Sequence, residues 1–394
     1  MRIAMIGQKG IPALWGGIER HVEELSARLA KNGHAVFVFA RGWYTKIPKS
    51  ARFGKTRGRR DIMEYRGTNI VFAPTIHTKH FDAIIHSLFS TFKALRLGVD
   101  VIHYHGVGPA LVSWIPKFFG FDGKVIITFH CIDRKHKKWG FFARAALRIG
   151  EWMACRFADR TIAVSEVLRQ YCDEAYNTET AVIPNGVSIP RFRKARLIKN
   201  FNLESYKYLG FFSRLVPHKN AHLLIAAWKN IRAKNPALLR GIKLAIVGDS
   251  SFTDKYVEYL KKISADDTSI VMTGYQSGAT LEELFSNAKF IVHPSESEGL
   301  SIAVLEAMSY GKPVLASDIP ENKEALGNCG FYFKRNNSED LERQIISVLR
   351  KKTLKKIGDR AKLRITENFD WKKIVKQTES VYKLSELKLA ETIT

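Results

Sequence analysis

No Asp-X-Asp triplet occurs anywhere in the chain, and acidic residues are scarce: 38 Asp and Glu stand against 63 Lys and Arg, a net charge of +25. A divalent cation bridging a diphosphate normally relies on carboxylates. Any diphosphate bound here is therefore expected to be neutralised by cationic side chains and helix N-termini, without a metal. Cysteine is sparse as well. Cys131, Cys155, Cys172 and Cys329 form no C-x-x-C pair, which leaves metal and dithiol motifs unsupported and fits a reduced, cytoplasmic setting. No apolar run reaches the roughly 18 residues of a spanning helix. The opening MRIAMIGQKG lacks the charged-then-apolar pattern of a signal peptide. G-x-G-x-x-G is missing, and with it the usual dinucleotide fingerprint.

What is present is alternation. At 394 residues the chain predicts two domains. Residues 2–7, 35–40, 100–105, 124–129, 160–164 and 181–183 read as strands, with helices over 19–32, 80–97 and 141–157. The basic, aperiodic stretch 186–206 reads as a linker. The pattern then restarts, with strands at 208–212, 243–247, 270–273, 290–293 and 313–316. Helices fit between them at 219–234, 253–264, 279–287, 301–310 and 320–326, and 338–391 is largely helical. Such alternation predicts the α/β class, with two Rossmann-like, doubly wound domains, 1–188 and 189–371. A C-terminal helix at about 372–394 is expected to return to the first domain. Ligands of open α/β sheets sit at the carboxyl ends of strands, so two such domains facing each other predict a central cleft.

The most informative stretch is His293 to Gly311, HPSESEGLSIAVLEAMSYG. Glu298 falls in a loop, Glu306 falls on a helix, and Gly299, Leu300 and Ser301 lie at the helix start. Exposed amides and the helix dipole make that start an anion site. A carboxylate, an anion site and a second carboxylate in this order match a nucleotide sugar. Arg214 and Lys219, in FFSRLVPHKN, read either as a diphosphate clamp or as two surface charges. Gly16-Gly17, between the first strand and helix, reads equally as a turn or as a close approach to a ligand. His130 ends a strand where it can donate to a sugar hydroxyl or the reacting centre. Zinc on His103, His105 and His136 is disfavoured, because neither H-E-x-x-H nor a cysteine pair accompanies them.

Taken together these residues resemble glycosyltransferase family 4, over essentially the whole chain. The most specific element is the E-x(7)-E motif, Glu298 to Glu306. Gly16-Gly17 with Glu19, Ser165 in AVSE, the PNGV of 184–187, Arg214, Lys219 and Gly248 in IVGD also match. One departure is that Gly248 is followed by Asp249-Ser250 where many members carry a second glycine. The opening block and FHCIDRKHKKWG are similar to a bacterial subset described as rhamnosyltransferases of surface-polysaccharide assembly. The resemblance implies the GT-B fold and retaining transfer from a UDP-, dTDP- or GDP-sugar. The implied acceptor is a glycan or a polyprenyl-diphosphate-linked sugar. It implies that Glu306 binds the ribose, Glu298 the donor sugar, the amides of Gly299–Ser301 the diphosphate, and Thr273, Gly274 and Tyr275 the base. Arg214 and Lys219 would stabilise the leaving diphosphate. Gly16 and Gly17 would approach the diphosphate and acceptor, and His130 the donor sugar.

The run KIPKSARFGKTRGRR, residues 46–60, carries seven basic residues and no acidic one. It is read as a contact for an anionic membrane surface, against a solvated loop, and least of all as a nucleic-acid site. Residues 137–157 read either as a helix docking on the inner leaflet of the plasma membrane or as a core helix. Two alternatives to transfer are a sugar-nucleotide epimerase or a phosphorylase on the same fold, and a non-catalytic sugar-nucleotide or polyanion-binding protein.

Overall fold

A computed structural model describes residues 1–45, 52–53, 62–76, 78, 81–135 and 140–383. The chain divides into two compact units. One is Met1–Asn185 with the segment that begins at Trp371, and the other is Gly186–Asp370.

The first unit holds the strands β1 (Arg2–Ile6), β2 (Ala35–Ala40), β3 (Arg52–Phe53), β4 (Ile62–Tyr65), β5 (Thr68–Phe72), β6 (Val101–His105), β7 (Lys124–Phe129), β8 (Arg160–Ala163) and β9 (Ala181–Val182). They form one sheet in the order β3-β4-β5-β2-β1-β6-β7-β8-β9. From β5 to β9 every pairing is parallel, and β3 and β4 extend that edge antiparallel. The helices are α1 (Gly17–Lys31), α2 (Asp82–Arg96), α3 (Ile115–Phe118), α4 (Phe141–Arg156) and α5 (Glu166–Tyr176). Strands such as AVFVFA at β2 are apolar on both faces because helices can cover both sides of a parallel sheet. Val22, Leu25 and Leu29 recur on one stripe of α1 and pack on Ile3, Met5, Val36 and Val38.

The second unit holds β10 (Tyr208–Phe212), β11 (Lys243–Val247), β12 (Ile270–Gly274), β13 (Phe290–His293), β14 (Val314–Ser317) and β15 (Phe331–Phe333). All its pairings are parallel, in the order β12-β11-β10-β13-β14-β15. Its helices are α6 (Ala221–Lys234), α7 (Asp254–Ser264), α8 (Gly278–Asn287), α9 (Ile302–Ser309), α10 (Pro320–Leu326), α11 (Ser338–Arg350) and α12 (Leu354–Asn368). Fully buried Trp228 of α6 anchors the core, and its indole donates to Ser269 Oγ at 2.9 Å.

Both sheets are doubly wound. Numbered by chain position, the second unit reads 3-2-1-4-5-6, and β5-β2-β1-β6-β7-β8 repeats that order in the first. Strand order reverses between β10 and β13 in one unit and between β1 and β6 in the other. The crevice outside the carboxyl ends at such a reversal is where open α/β sheets bind ligands.

The last helix among the described residues, α13 (Trp371–Lys383), belongs to the first unit. Trp371, Ile374, Val375, Val381 and Tyr382 join the core built around α1. Residues 384–394 lie outside the described residues, as does His136. Of the basic run 46–60, the backbone of Arg52 and Phe53 alone is described.

One expectation is corrected. The stretch 186–206 is not an unattached linker but part of the second unit. Ile198 and Leu203 are buried. The amides of Arg196, Leu197 and Ile198 donate to Glu283 Oε2 on α8, at 2.8, 2.5 and 3.3 Å. Val187 bridges to Asp370, so the two points where the chain passes between the units lie side by side.

Candidate functional site

The second-unit residues picked out in the sequence fall after β10, β11, β12 and β13, at the carboxyl end of four neighbouring strands. Lys219 follows β10 and Glu298 follows β13, the two strands that flank the reversal. There they form an ion pair, with side-chain exposures of only 10% and 9%. The same carboxylate oxygen, Glu298 Oε1, accepts from His293 Nε2 at 2.7 Å. Burial pushes the Glu298 carboxyl up, but the Lys219 ammonium and the His293 imidazole outweigh it and hold the group well below the usual carboxylate range. Glu298 is therefore a fixed negative charge. Lys219 spends one of an ammonium's three donors on it.

His293 is a site residue that the sequence reading passed over as the end of a strand. The available signal was its spacing: a strand's last residue, five before a loop carboxylate.

The loop between β13 and α9 is held residue by residue. Pro294 O accepts from Asn220 Nδ2 at 3.0 Å, Ser295 O from Ser317 Oγ at 2.5 Å, and the Glu296 amide donates to His218 O at 2.8 Å. Two of these three ties come from the 217–220 turn that carries Lys219, so the turn and the loop move as one body. Gly299, Leu300 and Ser301 are buried. Ser301 occupies the N-cap of α9 with no side-chain cap of its own. A helix leaves its first amides without intrahelical partners, and at α9 that end lies directly after Glu298. Glu306, half-buried, sits one turn further along the same helix.

Arg214 and Lys219 differ in setting. Arg214 is exposed on the loop after β10, whereas Lys219 is buried on Glu298. Gly248 has a packing role. At φ +148 its missing side chain admits the Ser213 carbonyl, which an added Cβ would meet at 1.8 Å. In place of the second glycine common in the family's pattern, Asp249 accepts from the Leu215 amide through its carbonyl at 2.8 Å. Ser250 Oγ donates to Asp254 Oδ1 at the start of α7, at 2.6 Å. At the end of β12, Thr273 is buried, Gly274 takes φ +68, and the Tyr275 ring stands exposed.

In the first unit, Gly16 is the N-cap of α1 at φ +109, and the Glu19 carboxylate folds back under it while accepting from the Lys9 amide at 3.1 Å. The Tyr44 hydroxyl accepts from the amides of Leu14 and Trp15, at 2.8 and 2.9 Å, and fixes the loop before Gly16-Gly17. His130 is buried at the end of β7, its Nε2 3.2 Å from His105 Nδ1. It belongs to a cluster with His21, His103 and His105. Burial, then its neighbours His21 and His103, pull the His130 pKa well below the ordinary value, so the ring is neutral and keeps one donor and one acceptor. Ser165 caps α5, accepting from the Leu168 amide at 3.3 Å. Asn185 of PNGV is buried, as is His21.

Two family models match the chain in turn. The family model for glycosyltransferase family 4 matches residues 15–191, and that for group 1 glycosyl transferases matches residues 193–364. The chain is 26% identical to an uncharacterized glycosyltransferase of Methanocaldococcus jannaschii, over 98% of both chains. It is 27% identical to a glycogen synthase of Mycobacterium tuberculosis, over 97% of this chain and 94% of that one. Among solved structures, the Anabaena protein HepE in complex with UDP and glucose superposes with a TM-score of 0.75 at 22% identity, covering 98% of this chain and 100% of that one.

Proposed function

Because the chain belongs to glycosyltransferase family 4, a family of GT-B fold, we propose that it moves a sugar from a UDP-, dTDP- or GDP-sugar to a glycan or polyprenyl-diphosphate-linked acceptor, with retention at the anomeric carbon and without a metal. The observation that carries this reading is the Lys219–Glu298–His293 group at the strand-order reversal, followed directly by the start of α9 and then by Glu306.

Each residue has a physical task. The α9 amides and the Lys219 and Arg214 cations hold the diphosphate, whose charge grows as it leaves. Glu306 accepts from the ribose, Tyr275 stacks on the base beside Thr273 and Gly274, and Glu298 accepts from a hydroxyl of the donor sugar. Gly16, Gly17 and neutral His130 serve the sugar and acceptor from the first unit. In the reaction the acceptor hydroxyl oxygen bonds the anomeric carbon on the face the diphosphate leaves. The bond from that carbon to the diphosphate oxygen breaks, and the hydroxyl proton passes to the departing diphosphate. No side chain has to shuttle a proton, so positioning and charge stabilisation carry the catalysis.

A role in cell-surface polysaccharide synthesis, with rhamnose as one candidate sugar, is part of the same proposal and rests on the resemblance of the opening block. Work at the inner face of the plasma membrane, where a polyprenyl-linked acceptor resides, is proposed as well and rests on the basic run 46–60 and the segment 137–157; among the described residues no helix is long and apolar enough to cross a membrane.

The test is thermal stabilisation by UDP, GDP, dTDP and their sugar conjugates, since a ligand of the native state raises the melting temperature by mass action. A shift with one nucleotide family names the donor class. No shift with any of them sinks the donor-site assignment.

A further inference from the structure

Helix α4 is attached by a narrow face. Gly150, Glu151 and Ala154 are its buried residues. Gly150 sets the helix backbone against the Val107 carbonyl in the loop after β6. Glu151 Oε2 accepts from Arg134 Nε at 2.9 Å, Tyr171 OH at 2.7 Å and Tyr176 OH at 2.6 Å. The inward side is thus tied through Gly150 to the loop after β6, and through Glu151 Oε2 to Arg134 in the loop after β7 and to two tyrosines of α5.

The outward side is apolar. Phe141, Phe142, Ile149 and Trp152 are 80%, 87%, 49% and 47% exposed. At 3.6 residues per turn these four and Ala145 fall within an arc of about 100°. Large exposed apolar patches on a soluble protein mark an interaction surface. Charge decides which kind. Arg144, Arg148 and Arg156 are the other exposed residues of α4, and its sole acid, Glu151, is buried. Aromatic side chains with arginines among them, and no exposed acid, are the composition of a helix that lies in the headgroup layer of an anionic bilayer. The net charge of +25 acts in the same sense.

We propose that the Phe141–Phe142–Ile149–Trp152 face of α4 inserts into an anionic phospholipid surface. The helix then lies flat in the interface with its inner side still clamped to Arg134, four residues beyond His130. Docking would bring a lipid-linked acceptor to the rim of the first unit's strand ends. That purpose rests on the reading of the acceptor above; the docking itself does not.

The experiment uses the full chain and vesicles of phosphatidylcholine with or without phosphatidylglycerol. Wild type should co-sediment with the anionic vesicles at low salt, and less so as salt screens the arginines. Replacing Phe141, Phe142 and Ile149 together by serine should lower that binding at least about tenfold. The melting shift with nucleotides should be unchanged, because these side chains are exposed and lie outside the second unit. Trp152→Phe should still bind but lose a blue shift of tryptophan emission on vesicle addition. Three results would overturn the proposal: wild type ignoring anionic vesicles, the triple variant binding them as wild type does, or a wild-type dimer in light scattering that the triple variant abolishes. The last would assign the face to a second copy of the chain. Vesicle binding without any nucleotide shift would instead fault the donor site and leave the docking face standing.

Discussion

Lys219 and Glu298 are 79 residues apart in sequence and form a buried ion pair where strand order reverses in the second unit. Lys219 helps to keep the Glu298 carboxylate charged in a place where a lone charge would be costly. Removing one partner of a buried pair commonly costs about 3–5 kcal/mol, because the other charge is left uncompensated. Lys219→Ala is therefore expected to lower stability by an amount in that range. It should also lower turnover roughly a hundredfold or more, as the loss of a transition-state donor does. Arg214, being exposed, should show the second effect without the first: Arg214→Ala should change stability by less than about 0.5 kcal/mol. Urea unfolding and release of nucleoside diphosphate, measured on both variants, check this. Near-wild-type turnover in both would remove the clamp.

Glu306→Ala should weaken nucleotide binding more than it lowers turnover at saturation. If the donor is a dTDP sugar, the deoxyribose offers one hydroxyl fewer, and the variant should lose less affinity for dTDP than for UDP. Calorimetric titration of both nucleotides against wild type and variant gives the answer, and a strong wild-type preference for UDP would argue against a dTDP-rhamnose donor.

The buried histidines predict an acid-labile fold. Burial lowers His21 to about 4 and His86 and His103 to about 3, and pulls His105 and His130 well below the ordinary value. In the unfolded chain each ring takes up a proton near pH 6.5. Between that pH and about 4 the unfolded state thus holds more protons, so stability falls as pH falls. The slope is up to about 1.4 kcal/mol per pH unit for each ring. Glu298, ionised in the native state and protonated in the unfolded chain near pH 4.3, adds its loss only below that point. Melting temperature should hold steady above about pH 7 and drop steeply below 6. A flat profile from pH 7.5 to 5 would contradict neutral buried rings.

Gly248→Ala should be among the more damaging single changes in the loops. Its Cβ would meet a backbone carbonyl at 1.8 Å with φ at +148, so Ser213, and Arg214 after it, must move. A loss of about 2 kcal/mol or more is expected, with reduced turnover. Gly241→Ala is the control: φ is +73 there but nothing lies within 4 Å, so only the backbone penalty of about 1 kcal/mol applies.

Much of this architecture was legible because parallel strands announce themselves as short apolar runs, as VIHYH at β6 and KVIITF at β7 do. The hairpin of β4 and β5 escaped. Its strands are short, follow a dense basic run, and turn at Arg66-Gly67, where both residues take positive φ. The segment 186–206 misled because what orders it is a side chain on α8, some 85 positions away. No local period records such a tie. Glu298 and Glu306 could be read as a pair because a helix start lies between them. The pairing of Glu298 with Lys219 and His293 could not, since it depends on which strands become neighbours. The stripe on α4 was visible as a periodicity. Whether it faced the core was not, because periodicity gives the phase of a face and not its direction.

The first unit's core is closed by a helix that comes only after the whole second unit in sequence. Trp371, Ile374, Val375 and Tyr382 fill it, and the Tyr382 hydroxyl lies 2.7 Å from His103 Nδ1 on β6. During synthesis the chain up to Asn185 leaves the ribosome with that groove open, and the whole second unit must be made before α13 arrives. At about 5–20 residues per second the interval is roughly 10–40 s. For that time the apolar residues that α13 will cover stay open, the kind of surface that makes an incomplete chain prone to aggregate.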